Sequence, residues 1–361
     1  MSPRLRVLLV FLASLVLACA TGCRRRYVVH KQDPAVREGR ALYLRYCALC
    51  HGKEAQGYAA DHANALGNSD FLAVAGPEFL RAAITDGRPG TPMSAWGKAH
   101  GGPLGPGEVD QIVAYLRSLA KKPLIKSDPT QRGHGDPRRG AIAYAKSCPL
   151  CHGIHGEGTN RATSLAHPNF LRTVSDEYLR VTIVHGRVGT EMPGFNSFSS
   201  QTLDDVIAFL RTLDAPPTPP PSPLYEPPPG LDRLVINPQG QKPVFTLREG
   251  RYVSSAQVAQ ALADKRKLVI LDARPTSDWS RNHIVGALPF PFYDIEEMAK
   301  VLPKDGTFIL AYCACPHAAS GHVVDELRRR KFPNTAVIDE GIGFWTLKGY
   351  PTAQAAQLKV P

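Results

Sequence analysis

Cys47-Ala48-Leu49-Cys50-His51 and Cys148-Pro149-Leu150-Cys151-His152 spell one pentapeptide, Cys-x-x-Cys-His, twice in a chain of 361 residues. The spacing puts two thiols and an imidazole on one short helical stretch. Thiols so placed can add to the two vinyl groups of a haem, and the imidazole reaches the iron from the proximal side. The two motifs therefore predict two covalently bound haems c. Cys47, Cys50, Cys148 and Cys151 would form the thioethers, with His51 and His152 as proximal ligands.

The pentapeptides sit inside a longer internal duplication. Gly39 and Gly140 precede them at the same offset, and Gly57 and Gly158 follow at that offset. Further on, Phe71-Leu72 recurs as Phe170-Leu171, Leu80-Arg81 as Leu179-Arg180, Gly87-Arg88 as Gly186-Arg187 and Gly90-Thr91 as Gly189-Thr190. A glycine-rich stretch around Gly101 to Gly107 belongs to the first copy alone. Leu116-Arg117 then matches Leu210-Arg211. Only four methionines occur, Met1, Met93, Met192 and Met298, and Met93 and Met192 hold equivalent places in the copies. A thioether is a soft ligand for the sixth position of a haem iron, which makes Met93 and Met192 the axial partners of His51 and His152. The bland alternative is a pair of gap-filling core methionines. On these residues the chain resembles class I c-type cytochromes twice, over about residues 34–120 and 135–214.

A third reactive thiol lies elsewhere. Phe308 to Tyr312 reads as a buried strand ending at Cys313, and Ser320 to Lys331 as a helix. At such a junction, backbone N–H groups and the helix dipole favour a thiolate or persulfide anion. The surrounding residues resemble rhodanese domains over about residues 250–352. The matching stretches are Leu271-Asp272-Ala273-Arg274, Asn282 to Ala287, Tyr312-Cys313, and Glu340-Gly341 through Trp345 to Gly349-Tyr350-Pro351. The resemblance implies a sulfane-sulfur carrier with Cys313 as its persulfide site. It departs from the family at Ala318, where the loop usually has an arginine that helps hold an anionic donor such as thiosulfate. His317 would supply positive charge, Ser320 a hydroxyl at the helix start, and Cys315 a thiol to resolve an intermediate on Cys313. A catalytically silent docking module is the alternative.

The elements that must position these groups follow from periodicity. Each cytochrome-like copy is expected to be mainly helical. Helices lead into the motifs over Gly39 to Tyr46 and Gly140 to Ser147. Others run from Pro77 to Thr85 and Ser175 to Val184, and closing helices cover Pro106 to Ala120 and Thr202 to Leu213. Gly- and Pro-bearing segments before each methionine read as loops. After residue 250 strands alternate with helices: Leu268 to Leu271, Phe308 to Tyr312 and Thr335 to Ile338 against Ser255 to Asp264, Ile295 to Val301 and Ser320 to Lys331. That alternation indicates an α/β domain with a parallel sheet. The expected organisation is multidomain, two mainly α cytochrome c folds plus one α/β rhodanese-like domain. A linker (121–134) separates the copies, and a segment with nine prolines (215–230) reads as a polyproline spacer.

The N-terminus has two arginines, an apolar run from Val7 to Ala18, and then Cys19 and Cys23, each after small residues. This reads as a signal peptide with a lipobox (1–23), and either cysteine is a candidate lipid acceptor. The expected place is the cell envelope, anchored to a bilayer on the periplasmic side. The formal charge of +11 is spread along the chain. No basic helix or nucleic-acid module appears, so redox proteins rather than nucleic acid are the expected partners. The function expected is electron transfer by two haems, with oxidation of a sulfane-sulfur or polysulfide substrate as the source of electrons. The rivals are a pure electron shuttle whose third domain only binds a partner, and a dihaem peroxidase. Met93 and Met192 argue against the peroxidase, which needs an open iron.

Overall fold

A computed structural model describes residues 33–57, 60, 63–88, 92–125, 130, 132–159, 162, 164–166, 168–187, 191–213, 226, 228, 230, 233–314 and 317–356. The signal-like run with Cys19 and Cys23, most of the proline-rich segment and Cys315 lie outside them. The chain divides into a short unit, Met1–Pro34, and a large one, Ala35–Pro361, that carries both copies and the C-terminal domain.

The first copy comprises α1 (Pro34–Tyr46), α2 (Ala48–His51), α3 (Ser69–Val74), α4 (Pro77–Thr85) and α5 (Pro106–Ser118). The second repeats the series as α6 (Pro137–Ser147), α7 (Pro149–His152), α8 (Pro168–Thr173), α9 (Asp176–His185) and α10 (Ser200–Thr212). Local chemistry sets the starts. Asn68 accepts from the N–H groups of Asp70 and Phe71, Ser175 caps α9 and Ser199 caps α10. Proline opens α4, α5 and α6, where its missing N–H costs nothing. The lead helices begin earlier than the glycines at which periodicity placed them. The short α3 and α8 were not anticipated.

In each copy the lead and closing helices cross at a glycine. A Cβ on Gly39 would lie 1.8 Å from the Gln111 carbonyl oxygen, and one on Gly140 would lie 1.9 Å from that of Asp205. Only glycine permits these approaches. The copies then pack on each other in a crossed fashion. The Arg88 guanidinium lies over Phe79 of its own copy and Phe170 of the other, 5.2 and 5.0 Å from the ring centres. Arg187 lies over Phe71 and Tyr178, at 4.8 and 5.4 Å.

The C-terminal domain is built on a five-stranded parallel sheet of order β1-β6-β5-β2-β4. Its strands are β1 (Tyr252–Val253), β2 (Leu268–Asp272), β4 (Leu288–Pro289), β5 (Phe308–Tyr312) and β6 (Thr335–Ile338), while β3 (His283–Ile284) pairs antiparallel with β7 (Thr352–Ala353). Every residue of β2 is buried, as a strand covered on both faces requires. The helices are α11 (Ser255–Ala263), α12 (Thr276–Arg281), α13 (Ile295–Met298), α14 (Ala318–Arg329) and α15 (Gly341–Leu347). The segment expected as one helix from Ile295 to Val301 is α13 followed by a 3₁₀ turn, Ala299–Val301.

Candidate functional site

Each Cys-x-x-Cys-His motif is a tight turn locked to the lead helix. The Cys47 and Cys148 N–H groups bond the carbonyls of Tyr43 and Tyr144, at 2.8 and 2.9 Å. The buried Tyr43 and Tyr144 hydroxyls in turn donate to the carbonyls of Gly52 and Gly153, each at 2.7 Å. This tyrosine clamp fixes the residue after the histidine in both copies. The His51 Nδ1 lies 2.8 Å from the Asn64 carbonyl oxygen, which orients the ring and leaves Nε2 for a ligand. Burial lowers the affinity of His51 for a proton. Burial also pushes the Cys47 thiol up to about 12 and the Cys148 thiol up to about 11.

The methionine loops close alike. The Arg88 N–H bonds the Met93 carbonyl at 2.8 Å, and the Arg187 N–H the Met192 carbonyl at 3.0 Å. Arg117 from α5 holds the carbonyls of Leu72 and Ala75, and Arg211 from α10 holds those of Leu171 and Val174. These contacts tie the closing helix to α3 or α8.

In the first copy the structure gathers the expected groups around one cavity. Its walls include Cys47, Cys50, His51 and Met93, with apolar cover from Phe71, Phe79, Leu80, Ile112 and Leu116. The donor set fits a c-type haem: two thiols, a ring nitrogen held by its second-shell carbonyl, a thioether, and an apolar wall. In the second copy the equivalents, Cys148, Cys151, His152 and Met192, occupy the same places in the duplicated framework.

The same cavity is also lined by the C-terminal domain, through Arg274, Pro275, Phe292, Cys313, Ala314 and Ala319. Cys313 lies at the end of β5, only 2% exposed, with its Sγ 3.2 Å from the Ser320 hydroxyl on α14. The Ile342 N–H bonds its carbonyl at 3.1 Å. Arg274 is committed to Asp272, with Nε to Oδ1 at 2.9 Å and Nη2 to Oδ2 at 2.6 Å, and Tyr312 donates to the same carboxylate at 2.7 Å. His317 does not line the cavity. Its Nε2 is 2.8 Å from an Asp339 carboxylate oxygen and its ring packs on Tyr252 at 4.4 Å. Its φ of 81° turns the loop into α14. Ser320 is thus brought to Cys313, and His317 is directed to Asp339.

The join between the first copy and the C-terminal domain is specific. Arg45 pairs with Asp294 at 2.6 Å, Ser94 donates to Asp278 at 2.6 Å, and Ser277 donates to the Ala95 carbonyl at 2.7 Å. Tyr46 and Trp96 pack on Tyr293 with ring centres 4.9 and 5.8 Å apart, and Leu49 packs on the core beneath Cys313. Burial raises the Asp278 carboxyl above the ordinary range, partly offset by Arg274 and the Ser94 hydroxyl.

Residues 34–116 and 135–210 match the family model described as cytochrome c oxidase, cbb3-type, subunit III, and residues 255–348 match that of the rhodanese-like domain. The chain is a tandem of two c-type cytochrome segments followed by a rhodanese-like domain. Cytochrome c segments of this kind carry covalently bound haem c and transfer electrons. A cbb3-type cytochrome c oxidase subunit FixP of Bradyrhizobium sp. (strain ORS 278) is 32% identical over 186 residues, spanning 49% of this chain and 60% of that protein. The corresponding subunit CcoP of Azospirillum sp. (strain B510) is 30% identical, over 50% of this chain and 60% of its own length. The chain thus spans about 60% of the curated relatives it matches. Among solved structures, a chain of a reducing HAO-like protein complex of Kuenenia stuttgartiensis matches at 20% identity and a TM-score of 0.34, over 49% of this chain and 96% of that one.

Several residues of these sites escaped sequence reasoning. Asn64 acts through its backbone and carries no side-chain signal. Arg88 and Arg187 stood in plain view as a duplicated Gly-Arg pair, but their crossing onto the other copy did not. Phe292 and the join around Arg45 depend on contacts far apart in sequence.

Proposed function

We propose that the chain is a dihaem electron carrier of the cell envelope that takes electrons from sulfur chemistry at Cys313. The observation that carries this is the shared cavity: Cys313 lines the same space as Cys47, Cys50, His51 and Met93. In this reading Cys47 and Cys50, and Cys148 and Cys151, hold one haem each. His51 with Met93, and His152 with Met192, are the axial pairs. Bound haem supplies one-electron acceptance and release, with His/Met ligation raising its potential. Cys313 holds sulfane sulfur, Ser320 hydrogen-bonds its Sγ, and the wall from Phe292, Pro275 and Ala319 limits water. With Ala318 in place of the usual arginine, thiosulfate is a poor donor and polysulfide or a thiol persulfide a better one. The named relatives are oxidase subunits, which makes a redox protein the fitting acceptor. Cys19 or Cys23 would carry the lipid anchor. Among the described residues no helix is long and apolar enough to cross a membrane.

The test is anaerobic titration of the oxidised protein with polysulfide, sulfide and thiosulfate while the haem absorbance and the chain mass are followed. The mass should exceed the mature polypeptide by two haems. Polysulfide and sulfide should reduce the haems, and thiosulfate should do so poorly. If none of the three does, Cys313 serves a docking domain and the protein is an electron shuttle. That second reading draws on Ala318 and on the engagement of His317 by Asp339. The anchor has its own check: changing Cys19 and Cys23 to Ser should release the protein from membranes or block its processing.

A further inference from the structure

We infer that the sulfur substrate of Cys313 is hydrogen sulfide, joined to the thiol oxidatively rather than transferred from a donor molecule. The inference rests on the sulfur reading above and names its substrate. A rhodanese-type thiol that receives sulfur from an anionic donor needs an open mouth and cations to seat the anion. Cys313 is poorly placed for such a donor. It is 2% exposed, and the cytochrome face lies across it. Two arginines line the cavity. Arg274 is fork-bonded to Asp272, and Arg88 is laid over Phe79 and Phe170. His317 faces Asp339. The share of the wall given by the C-terminal domain includes the apolar Pro275, Phe292, Ala314 and Ala319, and the Ser320 hydroxyl is the polar group at the thiol.

A bulky, doubly charged donor would have to lose its water beside a buried thiol where the charge of Arg274 is already matched by Asp272, which is costly. Hydrogen sulfide has a single heavy atom and a neutral form that loses its hydration cheaply. It carries sulfur at the lowest oxidation state, so joining it to a thiol releases electrons. The Cys313 thiolate and hydrosulfide form one S–S bond, giving a Cys313 persulfide anion, one proton and two electrons. The proton leaves to solvent. Haems held by Cys47, Cys50 and His51 and by Cys148, Cys151 and His152 would supply the oxidant, each accepting one of the two electrons. Placing Cys313 on the wall of the first copy's cavity makes that copy the point of entry and the second copy the exit.

The decisive experiment uses the full, haem-loaded, fully oxidised protein under anaerobic conditions with sodium sulfide. The mass of alkylated peptides containing Cys313 is read alongside the haem absorbance. One sulfur atom should appear on Cys313 for every two haems reduced. Cys313→Ser should slow sulfide-driven reduction on the order of a hundredfold, because it loses the held reaction partner. The dithionite-reduced spectrum reports whether both haems are intact in the variant. If Cys313→Ser does not accumulate, Cys313→Ala serves the same end. Sulfide reducing parent and variant alike, with no sulfur gained at Cys313, overturns the inference. If polysulfide then still loads Cys313, the sulfur-carrier reading stands without it. If neither reagent loads Cys313, both fall.

Discussion

The two cytochrome copies share one framework but not one environment. In the first, Arg45 reaches Asp294 and Leu49 packs into the rhodanese-like domain. In the second, the corresponding residues are Lys146 and Leu150. Leu150 is 76% exposed, and Ile154 and Ile142 beside it are 72% and 60% exposed. Duplication preserved what a haem needs of the chain: the tyrosine clamp, the glycine crossing, the closed methionine loop. It left the outer face of the motif free to diverge. One copy spent that face on a partner within the chain, and the other kept it bare. The same motif thus occupies two positions, one facing a buried thiol and one facing outward.

The comparison breaks most sharply at the thioethers. On the proposed ligation, Met93→Ala and Met192→Ala should each abolish about half of the thioether-ligated low-spin signal, because each would open one of two irons. Each should admit exogenous imidazole at that iron and lower one potential. If either variant keeps the full signal, the copies are not equivalent in ligation and that axial pair is misassigned.

Next in size are the crossings. Gly39→Ala and Gly140→Ala force a methyl group into backbone carbonyls at 1.8 and 1.9 Å, so the helices must separate. Each should cost about 3 kcal/mol, or prevent haem retention in its copy, read by thermal melting and by haem content per chain. Equal losses would confirm a shared framework. A tolerant copy would show that its lead helix is held by other contacts.

Much of this framework was legible in the sequence, because its determinants are local. The Cys-x-x-Cys-His turns, the proline-led helices and the apolar run of β2 declare themselves within a few residues. The duplication made each signal appear twice. What stayed hidden was set by contacts between distant segments. Nothing near Leu49 or Leu150 distinguishes a residue that meets another domain from one that meets water. The two-residue strands β1, β3, β4 and β7 are too short to show alternation, and their pairing is fixed by the sheet. For the same reason Cys313 was recognisable as a strand-end thiol, while the cavity it shares with Met93 was not.

The faces themselves can be tested by charge. Leu49→Asp places a carboxylate against the core beneath Cys313 and should cost about 1–3 kcal/mol, with loosening of the join to the rhodanese-like domain. Limited proteolysis and alkylation of Cys313 would read that loosening. Leu150→Asp, on a side chain already in water, should change stability by no more than about 0.5 kcal/mol. If Leu150→Asp proved as damaging as Leu49→Asp, the second face would be covered in solution, and the contrast between the copies would be lost.

The smallest expected difference concerns acid. In the second copy Arg139 grips Asp205 across the helix crossing, with Nε to Oδ2 at 2.7 Å and Nη2 to Oδ1 at 2.9 Å, and the Asp136 N–H adds a bond at 2.7 Å. Glu38 and Gln111 stand at the corresponding positions of the first copy, which lacks this pair. The Arg139 bond, joined by those of Asp136 and Gln201, holds the Asp205 carboxyl well below the usual carboxylate range, against the opposing effect of burial. A carboxyl depressed in the folded state binds its proton more readily when unfolded. Its stabilisation is therefore present above the ordinary carboxylate range and is lost as the pH falls toward the folded value. Hydrogen exchange of α6 and α10 should accordingly rise between about pH 5 and pH 3 beyond that expected from intrinsic chemistry. Asp205→Asn should remove most of that pH dependence while lowering protection at neutral pH. Should α1 and α5 show the same acid response as α6 and α10, the Arg139–Asp205 pair would not be its cause.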